Sequence, residues 1–215
     1  MVFFTKLLAC FVLLVGMVGA SARAADSPHA ALAQAQRGID EARSDLFNAA
    51  VDVASVVNRA SDDLIALLKE QAAGGALRGD FGGGNIATLL ALAASVEGSA
   101  QAALLRPLLI TEVRNFVAIG INGGYFAGKA DLSLSPPRSS LALVLTKMPE
   151  GRREIVPGRI ISQADGKARV AAVFNDPGAG GLPLELIVEQ REGIWRVVEI
   201  ANTKELFYEV TKRSQ

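Results

Sequence analysis

The chain offers few residues with which to do covalent chemistry. Its one histidine is His29 and its one cysteine is Cys10. A serine–histidine–aspartate relay would have to run through His29, which sits beside Pro28 where a chain end frays, and it reads as a solvated residue of a first helix. Beyond Cys10 there is no thiolate nucleophile, disulfide or cysteine metal ligand. A zinc site would rest on one imidazole and carboxylates, against the preferred donor set. No G-x-S-x-G elbow or Walker loop occurs. The run GDFGGGN, Gly79 to Asn85, follows no strand pattern and ends without Lys-Ser/Thr, so it reads as a helix connection. Paired acids are the remaining resource, because two carboxylates suffice for glycosidase-type work. Asp62-Asp63 reads as a helix start favoured by the dipole. Glu185 and Glu189 share a strand face, and Glu199 on the next strand can join them. A solvated sheet face accounts for these three, and a concave acid-lined sheet is the functional alternative. The expectation is a protein that is not an enzyme, with no catalytic residue, no metal ligand and no cofactor.

Apolar side chains are more plentiful. Half of the residues are hydrophobic, enough for a sizeable core. Trp195 is the only tryptophan; it reads as core or as the wall of a ligand cavity, and Phe116, Phe126, Phe174 and Phe207 carry the same ambiguity. Phe116, Ile119, Phe126, Phe174, Leu186, Trp195 and Val197 are the candidate lining for an apolar or amphipathic small ligand, such as a lipid.

These residues need elements to hold them. Ser27-Pro28 reads as a cap and first helical residue, with Leu32, Ala35, Ile39, Ala42 and Leu46 at helical spacing. Asp52 is expected to cap a second helical segment through about Gln71, with a break at Ser61-Asp62-Asp63. Gly74 to Gly84 holds six glycines and reads as a loop. Ile86 to Ser95 reads as helix, and another runs from near Ser99 to Ile121, strained at Pro107 and stopped by Asn122-Gly123-Gly124. After Pro136-Pro137, Ser139 or Ser140 is read as the cap of a short helix through Leu145, with a strand as the alternative. Strands follow: Glu154 to Gln163, a hairpin at Asp165-Gly166, Ala168 to Phe174, the loop NDPGAGG, Leu182 to Arg191, a turn at Glu192-Gly193, and Ile194 to Ile200. Asn202 or Thr203 opens a last helix. Helices then strands make an α+β class: N-terminal helices packed on a curved four-stranded antiparallel meander, closed by a C-terminal helix. The organisation is a leader over 1–24, a helical region over 25–130 and a sheet region over 131–215, with 25–215 as one compact domain.

The leader is read from Lys6, the apolar run LLACFVLLVGMVGA and the Ala22-x-Ala24 exit, the pattern of a cleavable secretory signal with Ala25 as the mature start. Leu7-Leu8-Ala9-Cys10 resembles a lipoprotein box, but the apolar run follows the cysteine instead of ending at it. Lys6 and Arg23 are the only charges before Ala25, so 20 basic and 22 acidic residues remain. That balance provides no footprint for nucleic acid. The most apolar later stretch, Ala100 to Tyr125, carries Arg106, Glu112 and Arg114, unlike a membrane span. Absent cysteines and absent N-x-S/T sequons fit a bacterial envelope protein, and the expected location is the periplasm.

Lys167 to Leu206, with Gly193, Trp195, Val197 and Ile200 near its end, resembles the closing meander of nuclear transport factor 2-like domains. Asp45 to Leu64, with its Val51-Asp52 step, is similar to helices of uncharacterised bacterial envelope members. The resemblance implies helices on a strongly curved sheet forming a cone. The order of elements, the Asp176-Pro177-Gly178 loop and the late Trp195 also resemble periplasmic phospholipid carriers, although those continue further beyond the tryptophan. Two functions follow as expectations: an exported, non-catalytic protein binding an apolar small molecule in the cone, or an interaction module that pairs with an envelope protein or as a homodimer.

Overall fold

The computed structural model describes residues 25–73, 100–130, 145 and 148–212. The expected glycine loop after Gly74, the helix over Ile86 to Ser95, the one after Ser139 and the leader lie outside these residues.

Helix α1, Pro28–Asp40, starts where Ser27 and Pro28 predict: the Ser27 hydroxyl accepts the Ala30 amide at 3.1 Å. Its buried stripe is Ala31, Leu32, Ala35 and Ile39. The apolar spacing predicts one helix through Leu46, and the structure corrects this. Ala42 adopts φ 55, and the Arg43 amide donates back to the Gly38 carbonyl at 2.8 Å, ending the helix. Helix α2, Ser44–Ala50, then folds against α1, and a Cβ on Gly38 would stand 2.5 Å from the Phe47 nitrogen. Helix α3, Val53–Ala73, runs unbroken through Ser61-Asp62-Asp63, so these residues are not a helix start. Asp62 pairs with Arg106 instead. Helix α4, Ala100–Asn122, carries Pro107 inside it.

Strands β1, Glu154–Ala164, β2, Lys167–Asp176, β3, Gly180–Arg191, and β4, Ile194–Ile200, form an antiparallel meander in sequence order, and α5, Thr203–Lys212, closes the chain. The class is α+β. Phe174, Val170, Leu182, Leu186 and Val188 point to the helices and share one core cluster with Leu32, Phe47, Val57, Phe116 and Ile121. Register shifts interrupt β1 at Pro157/Ile160 and Ile160/Ser162, and the β3–β4 pairing at Ile187/Val188. Such bulges bend a strand and raise its twist. Among the described residues no helix is long and apolar enough to cross a membrane.

The sheet edges are closed by groups that are not strands. On β1, Gln36 of α1 behaves as a missing strand residue: its Oε1 accepts the Ile155 amide at 2.7 Å, and its Nε2 donates to the Arg153 carbonyl at 3.2 Å. One face further along α1, His29 Nε2 donates to the Gly158 carbonyl at 2.7 Å. On β3, where β4 stops short, Asn202 does the same work, accepting the Glu185 amide at 2.8 Å and donating to the Pro183 carbonyl at 2.9 Å. The β4 edge is met by Ala25, whose carbonyl accepts the Trp195 amide at 3.1 Å, and by a parallel bridge from Val51 to Val197, with the Asp52 amide donating to the Val197 carbonyl at 2.8 Å. Replacing Gln36 by leucine leaves one donor and one acceptor without a partner. The expected loss is about 1–3 kcal/mol, read as a lower denaturation midpoint.

Asp52 caps α3 as expected: its carboxylate accepts the Ser55 amide at 3.1 Å, the Ser55 hydroxyl at 2.7 Å and Arg191 Nη1 at 2.7 Å. Burial opposes its ionisation, but these donors outweigh burial and hold the carboxyl below the ordinary aspartate value of 3.8. Asp40, held chiefly by Arg152, is lowered in the same direction. A carboxyl with a depressed folded value stabilises the fold above its unfolded value, and the contribution disappears as pH falls through the folded one. The stability gap between the parent and Asp52→Asn should therefore be full above pH ~5 and shrink as pH falls below the ordinary aspartate value of 3.8, as acid-range thermal melts will show.

Candidate functional site

After α4 the chain turns back on itself. Gly124 takes φ 70, the Lys129 amide donates to the Gly124 carbonyl at 2.9 Å, and the Phe126 amide to the Gly120 carbonyl at 3.2 Å. The turn drives Phe126 into the core, its ring centroid 5.9 Å from that of Phe116, and leaves Tyr125 half-buried against the core cluster. Gly128 lets this turn touch the lead-in to β1, because a Cβ there would lie 2.7 Å from the Gly151 carbonyl carbon.

Where the two segments meet, Tyr125, Ala130, Leu145 and Met148 wall a cavity of about 180 Å3, with Glu150 and Arg153 also on its lining. Arg153 is 1% exposed and forms an ion pair with Asp176, 2% exposed, at 2.9 Å, without the alignment of a hydrogen bond. Its Nη1 also donates to the carbonyls of Tyr125 and Gly151, each at 3.3 Å, and its Nη2 to that of Pro149 at 3.0 Å. Asp176 Oδ1 accepts the amides of Gly178 and Ala179, both at 2.8 Å. The guanidinium is thus neutralised and occupied. It ties the α4 turn, the β1 lead-in and the β2–β3 loop together beneath the cavity, and it is not set up to hold an anion.

The structure places the seven residues expected to line a ligand space in or against the core. Phe116, Phe126, Phe174, Leu186, Trp195 and Val197 pack into the core cluster, and Ile119 lies half-buried against it. The lining of the rim cavity includes none of them. It comes from the exit turn of α4, with Tyr125 beside Phe126, and from the lead-in to β1. The acids singled out in the sequence are paired with cations: Glu185 with Arg169, Glu189 with Lys167 at 3.4 Å and Arg191 at 3.0 Å, and Glu199 with Arg59 at 3.1 Å. No three histidine, cysteine or carboxylate side chains gather at metal-binding distance among the described residues. Arg153 escaped the sequence reading, and Asp176 entered it only as part of a loop. The Asp-Pro-Gly run of the β2–β3 loop carries a signal for Asp176, since aspartate in that setting folds back on following amides; nothing local marks Arg153 as the inward-facing member of Arg152-Arg153.

Fold and cavity together define a helix-on-meander protein of the α+β class. No family model, curated protein or solved structure matches the chain.

Proposed function

We propose that the chain is an exported, non-catalytic protein of the nuclear transport factor 2-like type that binds the apolar end of a small amphipathic ligand at the rim cavity. The observation that carries this reading is the meeting of Tyr125, Leu145 and Met148 over an arginine already neutralised by Asp176. Tyr125, Leu145 and Met148 give the rim an apolar side beside the polar Glu150 and the satisfied Arg153, a division that suits the alkyl or aromatic end of an amphipath. The space is somewhat above the ~150 Å3 that accommodates benzene and below the ~300 Å3 of a drug-sized site, so it suits a small molecule or one end of a longer one. The leader pattern supports a periplasmic location for this binding. The test is to purify the processed chain from that compartment, extract it with organic solvent and analyse the extract by mass spectrometry. A stoichiometric amphipath, displaced in Met148→Trp, supports the reading; an empty extract and no uptake of an alkyl fluorophore overturn it.

One observation favours the interaction module as a second reading. Val156, Ile161 and Val173 are about 40% exposed, with Val156 and Val173 directly opposite each other on β1 and β2. A homodimer or an envelope-protein complex that dissociates in Val173→Asp while the fold persists would support it. A monomer with no captured partner would count against it.

A further inference from the structure

The rim cavity carries one charge that the fold leaves open. Glu150 lies on its lining, and among the described residues no hydrogen bond or ion pair engages it. The described cations of the same two segments are committed elsewhere. Arg153 is paired with Asp176. Arg152 donates Nε and Nη2 to the Asp40 carboxylate at 2.8 and 2.9 Å, and Nη1 to Glu154 at 2.9 Å. Lys129, between the lining residues Gly128 and Ala130, donates Nζ to the Asp40 carbonyl at 3.1 Å. Arg153 also fastens the backbone on both sides of Glu150, through the carbonyls of Pro149 and Gly151. Glu150 therefore stands on a preset frame beside Tyr125, Leu145 and Met148. A frame fixed before binding lowers the ordering cost of a contact made on it. The Tyr125 ring adds an aromatic surface of the kind that attracts a cation.

We infer that the ligand of the rim cavity is a cationic amphipath, an alkyl or arylalkyl ammonium, with its tail against Tyr125, Leu145 and Met148 and its ammonium at the Glu150 carboxylate. This rests on the reading of the rim as a site for the apolar end of an amphipath. A carboxylate or phosphate head on the same tail is disfavoured. It would bring a like charge to Glu150, and the Arg153 guanidinium is already neutralised. An ion pair at an exposed rim changes affinity a few-fold, not by orders of magnitude. Charge thus selects among amphipaths that the apolar contacts hold.

Apart from Met1 and Met17, both in the leader stretch, Met148 is the only methionine, so a methyl label on methionine puts an NMR reporter on the cavity. The chain, as recovered from the expressing cell, is titrated with octyltrimethylammonium, octanoate and octanol below their micelle-forming concentrations. The Met148 methyl signal should move with the ammonium at a Kd at least ~5-fold below that for octanoate, with octanol between them, and the gap should narrow in salt. Glu150→Gln should bring the two ions within ~2-fold of each other, and Glu150→Lys should reverse their order. A merely structural Glu150 would produce neither change. An equal or tighter Kd for octanoate in the parent overturns the inference and leaves the apolar-binding reading standing, as does a preference that persists in Glu150→Gln. A Met148 signal unmoved by all three probes overturns the rim-binding reading itself.

Discussion

Arg153→Leu should lower stability by about 3–5 kcal/mol, the range for breaking one partner of a buried ion pair. The leucine strands the Asp176 carboxylate in a site where it is 2% exposed. It also takes the donors away from the carbonyls of Tyr125, Gly151 and Pro149. The three segments that meet at the rim lose their common tie, so the cavity should open as the fold weakens. Chemical denaturation will show a lower midpoint with an unchanged slope if only stability has moved. Arg153→Leu with Asp176→Asn should recover part of the loss, because the uncompensated charge is gone. A single variant within ~0.5 kcal/mol of the parent, the range of an ordinary surface change, would mean that the ion pair is not buried as described.

Gly120→Ala should be the other large change, although alanine ordinarily improves a helix by about 1 kcal/mol. A Cβ at this position overlaps the Phe126 ring at Cζ and comes within 2.5 Å of Cε2 and 2.7 Å of Cε1. The ring has no exposed surface and is flanked by Phe116, so it cannot step aside. Overpacking of this kind costs about 1–3 kcal/mol and occasionally more; the close overlap argues for the upper end, a net loss of about 2–3 kcal/mol. Gly120→Ala combined with Phe126→Leu should be less damaging than the two single changes added, with a coupling of at least ~1 kcal/mol. Strict additivity in the double-mutant cycle would mean that α4 and its exit turn do not touch at this glycine.

Elements with strong local chemistry were legible. Ser27-Pro28 begins a helix because a hydroxyl and a fixed φ suit that end. Asp165-Gly166 and Glu192-Gly193 make hairpins with φ values of 49, 70, 54 and 81, the left-handed pairs that two-residue turns require. Periodicity failed where the answer lay in tertiary contact. Leu46 keeps helical spacing from Ile39, yet the chain breaks at Ala42 so that Phe47 can lie on Gly38. Asp62-Asp63 resembles a start, but nothing local ends α3 there, and Arg106 on another helix satisfies Asp62. The apolar residues proposed for a ligand wall, Trp195 and Phe174 among them, were legible as inward-facing but not as core against cavity, since both environments demand the same side chains. The rim itself was hidden because Arg153, Tyr125 and Asp176 come together from three turns far apart in sequence.

The side-chain closures of the β1 edge come from a single helix. Gln36 and His29 both project from α1, so detaching α1 removes both at once and bares the backbone of β1 from Arg153 to Gly158. Beyond Gly158, Ile160 and Ile161 are already exposed, and Arg159 and the two bulges discourage strand addition there. Protection of this edge against strand addition therefore depends on how tightly α1 is docked. A partly opened molecule that has released α1 and kept its sheet is the species from which cross-β growth would start.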